Sequence, residues 1–147
     1  MRVHEFQCEL WLPEAQDKVF SFFADAGNLD AITPSWLHFE TLTPIPIAMR
    51  EGALIDYRLR VHGFPFRWRT RINEWSPPNR FVDEQVRGPY RLWIHTHTFE
   101  SQSGGTLVRD HARYAIPLDP LLHRWIIRPD IERIFRHRAE ALRKRLA

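Results

Sequence analysis

The sequence predicts an α+β domain in which a curved, seven-stranded antiparallel sheet wraps around a long C-terminal helix, with two short helices between strands 1 and 2. Three observations carry this. Between Phe39 and Ala115 apolar and polar residues alternate with the period of half-buried strands. Short turns rather than long crossovers separate these runs, as an antiparallel meander requires. From Leu121 to Leu146 the apolar period lengthens to that of an amphipathic helix.

Each element follows from local chemistry. Val3 to Leu12 reads as a strand ending at Pro13. Glu14 to Ala24 reads as a helix, because Pro13 suits a first turn and Ala15, Val19, Phe22 and Phe23 share a face. A second short helix is expected from Asn28, as cap, to Ile32, closed by Pro34. Phe39 to Thr43 is a short strand, and Pro44 to Pro46 a connection. Leu54 to Val61 is the next strand, with a turn at His62-Gly63-Phe64-Pro65. Phe66, Trp68, Thr70 and Ile72 then alternate with Arg67, Arg69 and Arg71. Strands at Phe81–Val86, Tyr90–Gln102 and Thr106–Ala115 follow, separated by turns at Gly88-Pro89 and Ser103–Gly105. Pro117 and Pro120 break the sheet pattern. In the last segment Ile127, Ile131, Ile134, Phe135, Arg138, Ala141, Leu142 and Leu146 form one stripe. Pro129 favours a helix restarting near Arg128, with Asp130 and Glu132 in its first turn.

At 147 residues the chain is expected to be one domain, 1–147, with enough length to bury a core. Its 44% apolar content argues against disorder. No run of about 18 apolar residues predicts a transmembrane segment, and the N-terminus lacks a secretory signal pattern. The single Cys8 excludes an internal disulfide. These features favour a cytoplasmic protein, a monomer or weak homodimer, with peripheral membrane contact left open. Net charge is +3, and 19 of the 21 basic residues are Arg, which points only weakly to an anionic partner; no nucleic acid is expected.

The sixth strand carries the most information. Trp93, His95, His97 and Phe99 fall on every second residue and so share one face. Counting from the two flanking turns places Asp83 near His95, Gln85 near Trp93, His97 near Asp110, and Trp93 near Tyr114. The inner face then carries a polar island of Asp83, Gln85, His95, His97 and Asp110. Around it stands an aromatic wall of Tyr57, Trp68, Phe81, Trp93, Phe99 and Tyr114. Two readings stay open: His–Asp pairs that merely satisfy one another, or polar groups that orient a mostly apolar ligand. His95, His97 and Asp110 are candidates for acid–base work, but no G-x-S-x-G elbow, phosphate loop or dinucleotide fingerprint accompanies them. His95 and His97 with Asp83 or Asp110 could reach one metal, yet no HExxH or Cys cluster supports this, and no metal or cofactor is assigned. On the outer face Arg60 is expected opposite Arg67 and Arg58 opposite Arg69, with Asp56 and Glu84 available to Arg71. That face is either a solvated charged surface or a contact for an anionic membrane, RNA or an acidic partner.

The chain resembles the START-like, or SRPBCC, superfamily with its helix-grip fold. The resemblance covers nearly the whole length. It rests on element order, on Glu9-Leu10-Trp11-Leu12-Pro13 followed by Val19-Phe20-Ser21-Phe22-Phe23, and on the residues from Phe81, Asp83 and Gln85 through Gly88-Pro89-Tyr90 to Trp93, His95, His97 and Phe99. Gly105-Thr106, Asp110, Tyr114 and Pro117 continue it, and this dense motif looks like one bacterial subgroup of small stand-alone domains. The resemblance implies a sheet gripping the last helix around a ligand cavity, for a lipid, quinone, polyketide or aromatic-like molecule. The second alternative is a cyclase or dehydratase-type lyase using a His–Asp pair, with binding rather than catalysis the leading expectation. The third alternative is a non-catalytic module that contacts an anionic surface through the basic outer face. On the ligand-binding reading, His97→Ala is expected to weaken binding more than it destabilises the fold.

Overall fold

Alternating side chains do build seven strands, and a computed structural model describes residues 1–119 and 121–146 of the chain. The strands are β1 (His4–Leu12), β2 (Glu40–Thr41), β3 (Leu54–Val61), β4 (Phe64–Ser76), β5 (Arg80–Arg87), β6 (Leu92–Gln102) and β7 (Gly105–Ala115). The helices are α1 (Gln16–Ala24) and α2 (Arg128–Leu146). All strands join one sheet in the order β1-β7-β6-β5-β4-β3-β2. The meander from β2 to β7 is therefore completed by the first strand, which pairs antiparallel with the last. Pro120, read as a sheet breaker with Pro117, lies outside the described residues.

Two-residue turns set the register. His62 and Gly63 both take positive φ, 51° and 82°, as do Ser103 and Gly104 at 53° and 77°. Turns of this hand match the twist of the strands they join. The first is tighter than the expected His62–Pro65 turn, so β4 begins at Phe64 and Arg58 faces Arg67, Arg60 faces Pro65, and Asp56 faces Arg69. The arginine pairs expected on the outer face are thus displaced along the strand. Asp56 bonds Arg69 at 2.8 Å rather than Arg71, which takes Glu84 at 2.9 Å. Between β4 and β5 the register shifts twice, at Arg69/Thr70 and at Ile72/Glu74. Such irregularities bend a strand and deepen its twist, which helps the sheet curl.

The connection from α1 to β2 differs from expectation. No α-helix spans Asn28–Ile32; three short 3₁₀ turns occur at Ala26–Asn28, Asp30–Ile32 and Ser35–Leu37. Asp25, not Asn28, caps the first by accepting from the Gly27 N–H. Pro34 stops regular helix after one turn, and the left-handed His38 at φ 47° reverses the chain. The strand expected over residues 39–43 shrinks to Glu40–Thr41. In α1 the inward face is Val19 and Phe20, while Ala15 stands outside the helix as its cap residue.

Pro129 is accommodated without a break. A π-helical turn over His123–Ile127 leads directly into α2, with the Arg128 N–H bonded to the His123 carbonyl. Proline has no N–H to give, and a widened turn just ahead of it absorbs the misfit. From there Ile131, Phe135, Leu142 and Leu146 form the buried face of α2. Leu142 and Leu146 pack with α1 and with Phe81, Phe99 and Val108. Ile131 and Phe135 pack with Phe6, Trp93 and Tyr114. The third cluster, Ile55, Tyr57 and Ile72, packs on Phe39 and Met49 instead of on α2. The helix thus seals the sheet along β1, β7 and β6 and stands away from β3 and β4.

Gly105 shows how closely β1 and β7 approach. A Cβ there would lie 2.3 Å from the Leu12 carbonyl oxygen and 2.6 Å from the Trp11 ring. The obstacle is backbone, so it cannot swing aside. Gly105→Ala is expected to cost about 1–3 kcal/mol, the usual range for overpacking, measured by denaturant unfolding; a cost below about 0.5 kcal/mol would mean that the strand pair yields freely.

Candidate functional site: a cavity floored by a buried histidine–aspartate chain

The gap between α2 and the outer half of the sheet is a cavity of about 520 Å³. Small-molecule pockets typically measure about 300–1,000 Å³. Tyr57 and Leu59 from β3 and Trp68 from β4 form one wall, and Ile131, Ile134 and Phe135 from α2 the other. Phe64 and Ile126, both exposed, mark where the cavity meets solvent. There His62 Nε2 lies 2.6 Å from Asp130 Oδ2, tying the β3–β4 turn to the first turn of α2.

Its polar floor lies on β5, β6 and β7. Backbone pairing sets Asp83 opposite His95 and His97 opposite Asp110, as the turn counting predicts. The side chains nevertheless bond diagonally, offset by two residues along the strand. His97 Nε2 lies 2.6 Å from Asp83 Oδ2, and His95 Nε2 lies 2.8 Å from Asp110 Oδ1. His97 Nδ1 stands 3.4 Å from the same Asp110 oxygen, within ion-pair reach. The four groups form one chain, Asp83–His97–Asp110–His95. The His95 and His97 rings stack with centroids 3.7 Å apart, and His97 stacks on Phe81 at 4.0 Å.

Charge in this chain is unevenly shared. Burial alone would raise both carboxyls, but hydrogen bonds from the imidazoles hold Asp83 below the ordinary value and Asp110 well below it. Burial pulls His97 down, yet its two carboxylate partners overcome this and leave it raised. Burial and the neighbouring His97 charge push His95 down. His97 therefore holds its proton more readily than a free imidazole, and His95, held down, is neutral at neutral pH. Because His95 donates from Nε2 to Asp110, its Nδ1 is left as an acceptor.

Seven residues expected at the site line the cavity: Tyr57, Trp68, Phe81, Asp83, Trp93, His95 and His97. Four stand elsewhere. Asp110 lies behind the two imidazoles. The Gln85 amide is spent twice on the Tyr90 backbone, clamping the β5–β6 loop. Phe99 is core beneath α1, and the Tyr114 hydroxyl meets His123 at 2.7 Å. Alternation assigned these four to the inner face correctly, but it does not distinguish the parts of that face covered by helix. The α2 wall was outside the expected set. One signal for it was present: Arg138 is the single charged residue in the apolar stripe of that helix.

Two groups among the described residues bring three metal-ligating atoms within 4.8 Å of one another: Asp83, His95 and His97, and His4, Asp119 and His123. In the first, His95 Nε2, His97 Nε2 and Asp83 Oδ2 are already engaged in hydrogen bonds. In the second, the His4 and His123 rings stack at 3.5 Å and 8°, so their lone pairs lie in parallel planes and do not converge on one ion. The Cys8 thiol is pushed up to about 12 by burial and the Asp110 charge, which makes it a poor nucleophile.

The geometry adds a stability cost to the expectation for His97→Ala. Removing His97 leaves two buried carboxylates without their shared partner, and breaking such a buried pair costs about 3–5 kcal/mol. The pH dependence has a definite sign. Raised His97 stabilises the fold fully below its ordinary value of 6.5 and loses this as pH climbs through its folded value. Lowered His95 stabilises above 6.5 and loses this as pH falls through its folded value. The carboxylates contribute above 3.8 and lose this as pH falls through their folded values. Thermal melting is expected to peak near pH 6.5, with the alkaline limb flattened in His97→Gln; an unchanged limb in that variant would contradict the assignment of charge to His97.

Comparison with known proteins places these features. The profile of a family described as "Polyketide cyclase / dehydrase and lipid transport" matches residues 12–143. No curated protein matches the chain in sequence. Solved structures do match in fold. Protein CV1439 from Chromobacterium violaceum shares 15% identity at a TM-score of 0.76, over 97% of this chain and 96% of that one. Ginseng major latex-like protein 151 from Panax ginseng shares 10% identity at 0.73, over 99% and 98%. TTHA0849 from Thermus thermophilus shares 22% identity at 0.63, over 97% and 94%. At such identities the likeness concerns the fold, the START-like helix grip. With its family profile matched over most of its length, the chain belongs to the polyketide cyclase/dehydrase and lipid transport family of the SRPBCC superfamily.

Proposed function

We propose that the protein binds a small, mostly apolar molecule in the cavity under α2, with the polar end of that molecule at the Asp83–His97–Asp110–His95 chain. One observation carries this reading. A space of about 520 Å³ is walled by aliphatic and aromatic side chains, yet its floor presents the Asp83 carboxyl and two imidazoles, with the Asp110 carboxyl behind them. Pockets that take small molecules combine apolar contact area with a few fixed polar groups in this way. The membership in a family described by cyclase, dehydrase and lipid transport functions supports it. The outer sheet face supports the alternative less. Arg58, Arg69 and Arg71 are paired there with Glu40, Asp56 and Glu84. Among the described residues no helix is long and apolar enough to cross a membrane.

A second reading is favoured by His95. A neutral imidazole, oriented through Nε2 by a carboxylate and placed on a cavity wall, has the form of a proton-transfer base. On this reading a bound carbonyl compound loses a proton to Nδ1, as a lyase or cyclase requires.

Two experiments separate these. The uncharged fluorophore N-phenyl-1-naphthylamine is expected to bind saturably with one site per chain. Ile134→Trp, which fills the cavity from α2, is expected to abolish that binding while the protein still melts cooperatively. Equal binding in the filled variant would remove the cavity as the site. For the second reading, exchange of the α-protons of 2-tetralone in deuterated buffer is expected to be accelerated by the protein and lost in His95→Gln. Exchange no faster than in buffer would leave binding alone.

A further inference from the structure

Arg138 occupies an unusual position. It stands on the face of α2 that covers the cavity, between Ile134 and Ala141 in an otherwise apolar stripe. Its guanidinium lies over two rings, 5.4 Å from Phe23 and 5.7 Å from Phe135. Its Nε is fully buried and has no hydrogen-bond partner. No acid answers it either. The two carboxylates whose fields it reaches, Asp83 and Asp110, are bonded to His97 and His95. Among the described residues it makes no ion pair, in contrast to Arg58, Arg69, Arg71 and Arg80 of the sheet surface. Arg138, with Phe135, also lines a second cavity of about 280 Å³ between α2 and the β1–β7 pair.

Arg138 as a whole is half-buried, but its Nε–H is sealed from water with no acceptor, and a polar group so placed is costly. The nearby carboxylates are already engaged by the imidazoles and do not reach it. What remains unmet is hydrogen bonding. A guanidinium offers five N–H donors in a planar fork that fits a carboxylate with two parallel bonds. The main cavity also presents the opposite kind of group nearby, the acceptor Nδ1 of His95. The flat rings of Phe23 and Phe135 hold the fork in place, as stacked aromatics do for arginine.

We propose that Arg138 is the recognition residue for an acidic head group, and that the ligand of this cavity is an amphiphilic acid, an apolar body ending in a carboxylate. The inference rests on the ligand-binding reading above and narrows it to one chemical class. Neutral hydrocarbons and alcohols then fill the same space but leave the fork unpaired, and bind more weakly.

Decanoate and 1-decanol are compared at pH 7.5 by calorimetry and by quenching of tryptophan fluorescence, using the full chain. Wild type is expected to bind decanoate at least about tenfold more tightly, the ratio that corresponds to about 1.4 kcal/mol. Arg138→Gln is expected to bring the two affinities within about twofold by weakening decanoate alone, and Arg138→Lys to restore part of the preference, since it returns the charge without the fork. Equal affinities in wild type, or a preference that survives Arg138→Gln, would overturn the assignment of Arg138 while leaving the cavity as a binding site. Binding of neither molecule, together with no binding of N-phenyl-1-naphthylamine, would overturn both. Should Arg138→Gln fail to fold, the wild-type ratio and Arg138→Lys still decide the matter.

Discussion

Four side chains on three adjacent strands, two carboxyls and two imidazoles, interleave across a sheet face that is otherwise mostly apolar. The chain Asp83–His97–Asp110–His95 is the constraint on which the rest of the site depends. Buried carboxylates are tolerated only when paired and hydrogen-bonded. Any slip of β5, β6 or β7 by one residue would turn these groups outward and put their neighbours in their place. The diagonal bonding therefore locks the register of the central strands. It also pushes the two imidazoles apart, His97 holding its proton more readily and His95 less readily than a free ring, which sets the donors and acceptors of the cavity floor.

The cavity itself is a consequence of uneven coverage. Leu142 and Leu146 close the sheet at one end of α2, and Ile131 and Phe135 close it along β1, β7 and β6. The β3–β4 hairpin curls away, helped by the register shifts between β4 and β5. One helix cannot cover both halves of a sheet bent this strongly. The remaining space is bounded by Tyr57, Leu59 and Trp68, side chains that would form ordinary core against a second helix. The bond between His62 and Asp130 joins the far hairpin to α2 across that space.

Much of this was legible in sequence, and the exceptions have physical causes. Alternation located six of the strands and placed Asp83 opposite His95 and His97 opposite Asp110. The three 3₁₀ turns after α1 were not legible as such, because a few residues between Gly27 and Pro34 carry no period. The tight His62-Gly63 turn was read two residues too long, since Gly-Phe-Pro also suits a turn, and that displaced the arginine pairs of the outer face. Gln85, Phe99 and Tyr114 were assigned to the ligand on alternation alone. That pattern says which face a residue takes but not what lies above it. Gln85 turned back onto its own loop, Phe99 met α1, and Tyr114 met the segment entering α2.

The sequence by itself determined the seven strands, the covering helix and the inward set of two histidines and two aspartates, because period and turn chemistry are local properties. Tertiary structure decided which imidazole bonds which carboxylate, where the sheet stays uncovered, and that Arg138 on α2 faces the same space as His95 on β6. Those outcomes depend on how far a bent sheet and a straight helix separate. No stretch of chain encodes that distance locally; it exists only once both elements are packed.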